Sequence, residues 1–153
     1  MSKEKKNSSQ IEFGLVNIDI LKFALYEVEK VNIDVDIVGF NIDINGETNK
    51  PKDQINVTTK ITIFKLKKDK KKKNIAELKT RFTYNVVGLS SFPSEESDIN
   101  EVRIPKQLID TLNNISISTT RGILFTKFQG TKIQNIILPL ISQKELNKAL
   151  EKK

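Results

Sequence analysis

The stretch VNIDVDIVGFNIDI, residues 31–44, decides how the rest of the chain is read. Val31, Ile33, Val35 and Ile37 alternate with Asn32, Asp34 and Asp36, the period of two that marks a strand with one apolar face. At Val38-Gly39 the parity changes, and Phe40, Ile42 and Ile44 continue the apolar series against Asn41 and Asp43. A one-residue phase change at a glycine is what a β-bulge leaves in a sequence. The stretch therefore reads as one bent strand, with Asn45-Gly46 marking the next turn.

The same period extends in both directions. Upstream, Val16, Ile18 and Ile20 give way to Leu21, Phe23 and Leu25, a second change of parity. Downstream, Ile55, Val57, Ile61 and Ile63 are in phase over about residues 55–66, and Leu78, Phe82, Tyr84 and Val86 over about residues 75–89. Four strands, two of them bent, predict a strongly twisted sheet with apolar groups on both faces. The run from Lys67 to Asn74 is a hairpin tip, read as a solvated loop that repels edge-to-edge association.

After a break near residues 92–98 the period lengthens. Pro105 suits the first turn of a helix, and Leu108, Ile109, Leu112 and Ile115 follow helical spacing. Residues 115–120 alternate like a strand and are poor in helix formers, which leaves that stretch open between the two. Gly130 is placed to end the unit. An apolar run around Pro139 comes next, and Ser142 with Glu145 forms a capping box that opens a short helix carrying Leu146, Ala149 and Leu150 on one face.

Composition bounds the chemistry. The 153 residues suit one domain: a polar leader over residues 1–10 and a single unit over 11–153. Hydrophobic residues are 37% of the chain, a thin supply for a lone monomer, so burial between subunits is expected. There is no Cys and no His, which removes thiolate nucleophiles, the commonest general base and the commonest zinc ligands; no cofactor and no metal are expected. Asp34 and Asp36 share a strand face and read as its solvated half, and Arg121 as half of a structural ion pair at a helix or subunit boundary. No apolar run is long enough to span a bilayer, and no signal peptide is evident, so a soluble cytoplasmic protein is expected. The net charge of +7 invites nucleic acid as a partner. Six of the 26 basic residues lie between Lys67 and Lys73 with no aromatic residue among them for base stacking, and Lys, Asn and Ile are abundant throughout, as AT-rich codons dictate. Codon usage accounts for the charge better than a nucleic-acid partner does, and a binding module built on that hairpin is the alternative function.

Residues 82–92 (FTYNVVGLSSF), with 104–109 (IPKQLI), 118–122 (STTRG) and 136–139 (IILP) after them, resemble in order and spacing the SecB family of protein-export chaperones. The resemblance implies an α+β fold: a four-stranded antiparallel twisted sheet, a long helix packed on one face that takes in residues 115–120, and a short C-terminal helix. It also implies an ATP-independent chaperone that is not an enzyme, a homo-oligomer, most often a tetramer, and the binding of unfolded client polypeptides in extended form along apolar grooves, for protein export or translocation. The positions matching the groove are Phe23, Phe40, Ile42, Ile137, Leu140, Leu146 and Leu150. Leu112, Ile115, Ser116 and Thr119 are the candidates for the oligomer interface, their small members allowing helices to approach closely. This chain is basic and ends without a cysteine-bearing zinc tail, departures that weigh against docking on the export motor ATPase. Relatives of SecB also serve as dedicated chaperones of toxin–antitoxin pairs, which fits the departures equally well.

Overall fold

Alternating apolar residues build four strands, β1 (Phe13–Leu25), β2 (Ile37–Asn49), β3 (Gln54–Leu66) and β4 (Lys72–Val86), which form one antiparallel sheet in the order β1-β4-β3-β2. The computed structural model describes residues 10–26, 37–95 and 98–151. A two-stranded ladder, β5 (Ser94–Glu95) and β6 (Asp98–Val102), leads into the long helix α1 (Lys106–Phe128), and α2 (Gln143–Glu151) closes the described chain. The expected α+β architecture is met, with residues 115–120 inside α1. No helix among the described residues is long and apolar enough to cross a membrane.

The parity change at Leu21 is a bulge, and a second bulge lies at Val16. Their effect differs from the expectation of two apolar faces. Leu15, Ile18, Ile20, Phe23 and Leu25 pair with Tyr84, Phe82, Thr80, Leu78 and Ala76, all on one face of β4. Each bulge absorbs one residue, so the flips in sequence cancel and the apolar series stays on the helix side. The opposite face is polar: Arg81 of β4 lies between Asp19 of β1 and Thr58 of β3, and Lys79 between Lys22 and Lys60. There the largely covered Glu77 carboxylate pairs with Lys22 at 3.0 Å and Lys60 at 3.8 Å, and the Lys22 contact holds it below the usual carboxylate range.

Two expectations for β2 are corrected. Its pairing with β3 runs without a shift from Ile37↔Leu66 to Asn49↔Gln54, so there is no bulge at Val38-Gly39; residues 31–36 lie outside the described residues. Gly39 answers to Phe64 instead, whose ring lies where a Cβ at position 39 would be. The Lys72 ammonium sits 4.5 Å from the same ring. Asn45-Gly46 does not turn the chain either, since Gly46 pairs with Val57 within the ladder. The turn falls at Lys50–Asp53, where Pro51 presets its backbone and Asp53 takes the left-handed conformation (φ 51). The Asp53 carboxylate then accepts the Ser90 N–H at 2.8 Å, tying this turn to the end of β4. Replacing Gly39 by Val is expected to push the Phe64 ring off its seat and forfeit the lysine contact, at a cost of about 1–3 kcal/mol measurable by urea denaturation.

α1 lies over β3 and β4. Its inward ridge steps by four residues, Leu108, Leu112, Ser116, Thr120, Leu124 and Phe128, all buried. The two central positions are hydroxyls, and the sheet answers in kind. Thr120 Oγ1 is 2.9 Å from Thr59 Oγ1 and 3.1 Å from Thr80 Oγ1, which are 2.6 Å from each other. Ser116 Oγ is 2.8 Å from the Tyr84 hydroxyl. This hydroxyl layer divides the core. On one side Ile61, Ile63, Leu78, Leu124 and Phe128 pack with Ile133, Ile136 and Leu138; on the other Val57, Phe82, Tyr84, Leu108 and Leu112 pack with Ile44 and Leu146. Gly130, with φ 75, lets the chain leave α1 as expected. Residues 131–141 then cross the first half of the core, with Ile133, Ile136 and Leu138 turned in. Arg121, expected in an ion pair at a helix or subunit boundary, pairs with no carboxylate of its own chain among the described residues.

Candidate functional site

Where β2, β3 and the first half of α1 meet α2, their apolar faces leave a cleft of about 290 Å³. Ile44, Glu47 and Thr48 of β2 form one wall, and Ile55 and Val57 of β3 the floor. Ile109, Leu112 and Asn113 of α1 face them, and Leu150 of α2 closes one end. The size is at the lower end of small-molecule pockets. It suits one or two apolar side chains. A second cavity of about 350 Å³ lies at the start of α1, rimmed by Gln10, Gln107 and Thr111, and is more polar.

α2 reaches the cleft because its start is fixed. The Glu145 carboxylate accepts the Ser142 N–H at 2.9 Å and the Ser142 hydroxyl at 2.8 Å, while the Glu145 N–H donates to Ser142 Oγ at 3.3 Å. That is the capping box expected from sequence. These hydrogen bonds, the one from the Ser142 backbone first, hold the Glu145 carboxyl below its usual range. The box is therefore intact above the ordinary glutamate pKa and loosens as the pH falls through the lowered one. From this start Leu146 is buried against Ile44 and Leu112, with Leu150 partly covered beside it.

The seven groove positions named from sequence are only partly brought together. Leu150 lines the cleft, Leu146 anchors the helix that carries it, and Ile42 touches both halves of the core. Phe23 and Phe40 pack against the other half, around Phe128 and Leu138. Ile137 and Leu140 point away from the core and are 53% and 80% exposed. Of the four interface positions, Leu112 and Ser116 are covered by this chain's own sheet, while Ile115 and Thr119 are partly exposed. Asn113, Ile44, Ile55 and Ile104 line the cleft and are missing from the seven. Asn113 follows Leu112 and precedes Ile117 by one turn, which places it in the inward sector of the helix, a signal that the spacing carries.

No family model matches the sequence, and no curated protein sequence matches it significantly. Among solved structures, the SecB-like chaperone of Mycobacterium tuberculosis, determined in complex with a peptide from the HigA1 antitoxin, superimposes with a TM-score of 0.58 at 7% identity. The match covers 85% of this chain and 91% of that one. A protein of unknown function from Streptococcus agalactiae matches with a TM-score of 0.42 at 5% identity, covering 86% of this chain and 100% of that one. The resemblance carried by residues 82–139 thus extends to three dimensions, and the chain has the SecB-like fold.

Proposed function

We propose that this chain is a holding chaperone that binds non-native polypeptides in extended form, without ATP and without catalysis. The observation that carries this reading is the amount of large apolar surface that a SecB-like fold here leaves to solvent. It comprises the cleft, Ile109 and Phe125 on α1, and Ile137 and Leu140 on the C-terminal segment. A monomer exposing this much needs partners to cover it. Part of the cover is a second copy: Leu15, Ile18, Ile20 and Leu25 line the helix-side face of edge strand β1 and are 39–47% exposed. A homo-oligomer, most simply a tetramer, is the expected assembly.

The test is suppression of aggregation of a reduced model protein, with light scattering on the chaperone alone. Expected are suppression at near-stoichiometric ratios with no nucleotide, and a mass of several subunits. Aggregation unchanged by a tenfold excess (a dose of order ten is ample for micromolar binding) would overturn the reading, as would a requirement for ATP or a stable monomer at micromolar concentration. A second reading, service to a single toxin–antitoxin pair, is favoured by the antitoxin peptide held by the Mycobacterium tuberculosis chaperone. It predicts tight binding to one antitoxin segment and weak suppression of unrelated clients.

A further inference from the structure

The two edges of the sheet are built differently. β1 carries Lys22 and is broken by bulges at Val16 and Leu21. β2 closes the opposite edge, and its 13 residues, Ile37–Asn49, pair with β3 without a shift. No strand among the described residues lies beyond it, so every second N–H and C=O of β2 is directed away from the ladder. Sheet edges are ordinarily defended by lysine, proline or a bulge. β2 has none of the three, in a chain with 26 Lys and Arg. Val38, Phe40 and Ile42, which pack against the core from this strand, are only half-buried.

We propose that β2 takes its client by strand addition: an extended segment of non-native polypeptide, with apolar residues at every second position, pairs along this edge. This rests on the chaperone reading above and names the mode of binding and the class of segment bound. The open backbone groups follow one line, and their complement is the main chain of another extended segment, which offers the same groups whatever its sequence. Alternate side chains of that segment then lie beside Val38, Phe40 and Ile42 and continue the apolar layer that ends there. A second copy of β2 fits worse. In the antiparallel register that uses the whole strand, Ile37 meets Asn49 and Asp43 falls opposite its own copy, a destabilising pair of like charges. Ile44, Glu47 and Thr48 also line the cleft, so a segment bound along β2 runs beside it.

The test uses the full chain and a short synthetic peptide with valine at every second position and threonine or lysine between. In a series of such peptides one main-chain N–H at a time is methylated. Expected is that methylation at every second position weakens binding about three- to tenfold, the size of one hydrogen bond, while the positions between are indifferent. Amide hydrogen exchange locates the site: with peptide at saturation the fast-exchanging half of the β2 amides should slow, and the β1 amides keep their rates. Binding of a permanently unfolded protein but not of the peptide, weakening without alternation, or unchanged β2 rates would each overturn the proposal and leave the chaperone reading intact. Slowing on β1 in place of β2 would do the same. β2 amides that are slow in the free chain and quicken on dilution would make this edge a contact between copies and also overturn it. Failure of the chain to bind either the peptide or the unfolded protein would remove both.

Discussion

Leu146→Asp combined with Leu150→Asp is expected to leave the oligomer's mass unchanged while weakening client binding by about tenfold or more. α2 has nine residues, too few to persist as an isolated helix in water, so it exists by docking. Its docking rests on Leu146, buried against Ile44 and Leu112, and on Leu150 at the mouth of the cleft. Each buried leucine is worth about 1.5–3 kcal/mol, and a carboxylate in its place must be desolvated to stay. Both substitutions together release the helix. The cleft is then open at the end that Leu150 closed and gains negative charge on a tether. The four-stranded sheet and α1 do not depend on α2 for their own pairing, so the assembly they build should persist. A labelled unfolded client titrated against both proteins, with light scattering in parallel, decides the matter. Unchanged affinity in an intact oligomer would contradict the cleft as the binding site. Loss of the oligomer would assign the two leucines to the core.

A larger effect on stability is expected from Phe128→Ala. Phe128 ends the inward ridge of α1 and is almost fully buried, in a cluster with Ile61, Leu124, Ile136 and Leu138, and with Phe23 and Phe40 against it. Truncating a buried phenylalanine typically costs about 3–5 kcal/mol, because the surrounding side chains close only part of the hole. Domains of this size have about 5–15 kcal/mol in total, so a large share of the stability is at stake. The crossing segment 131–141 should suffer first, since Ile136 and Leu138 lean on the ring. Urea denaturation reads the cost. A change below about 1 kcal/mol would mean that the segment collapses into the hole and that its path is adaptable.

Much of this fold is legible in the sequence because alternation is a strong signal: β3 and β4 lie close to where Ile55–Ile63 and Leu78–Val86 put them. The middle of α1 is not, since Ser116, Ser118, Thr119 and Thr120 are weak helix formers. There the Ser116 and Thr120 hydroxyls donate back to the carbonyls of Leu112 and Ser116 at 2.8 and 2.7 Å, and their contacts to the sheet override local preference. Gly39 reads as a backbone device when it is a seat for Phe64, a distinction that depends on a residue in the next strand. The bulge at Val16 leaves the same mark as the one at Leu21, two adjacent apolar residues, but only Phe13 and Leu15 precede it in the strand, too short a run to fix a phase. For the site, Leu146 and Leu150 can be found from the amphipathic face of a capped helix. The spacing from Leu112 and Ile117 puts Asn113 in the inward sector of α1, but the gap which that sector faces is set by β2, β3 and α2 and is not written in the helix.

The two bulges of β1 also set a limit on growth by edge pairing. β1 is an edge strand with an apolar face, a combination that elsewhere seeds open-ended fibres. Its regular run between the bulges is only Asn17–Ile20, four residues. Any strand that adds there, a second copy included, meets a twist in the backbone at each end of that run. The unbroken edge that β1 offers to another strand is therefore short, which makes it a poor template for a growing ladder.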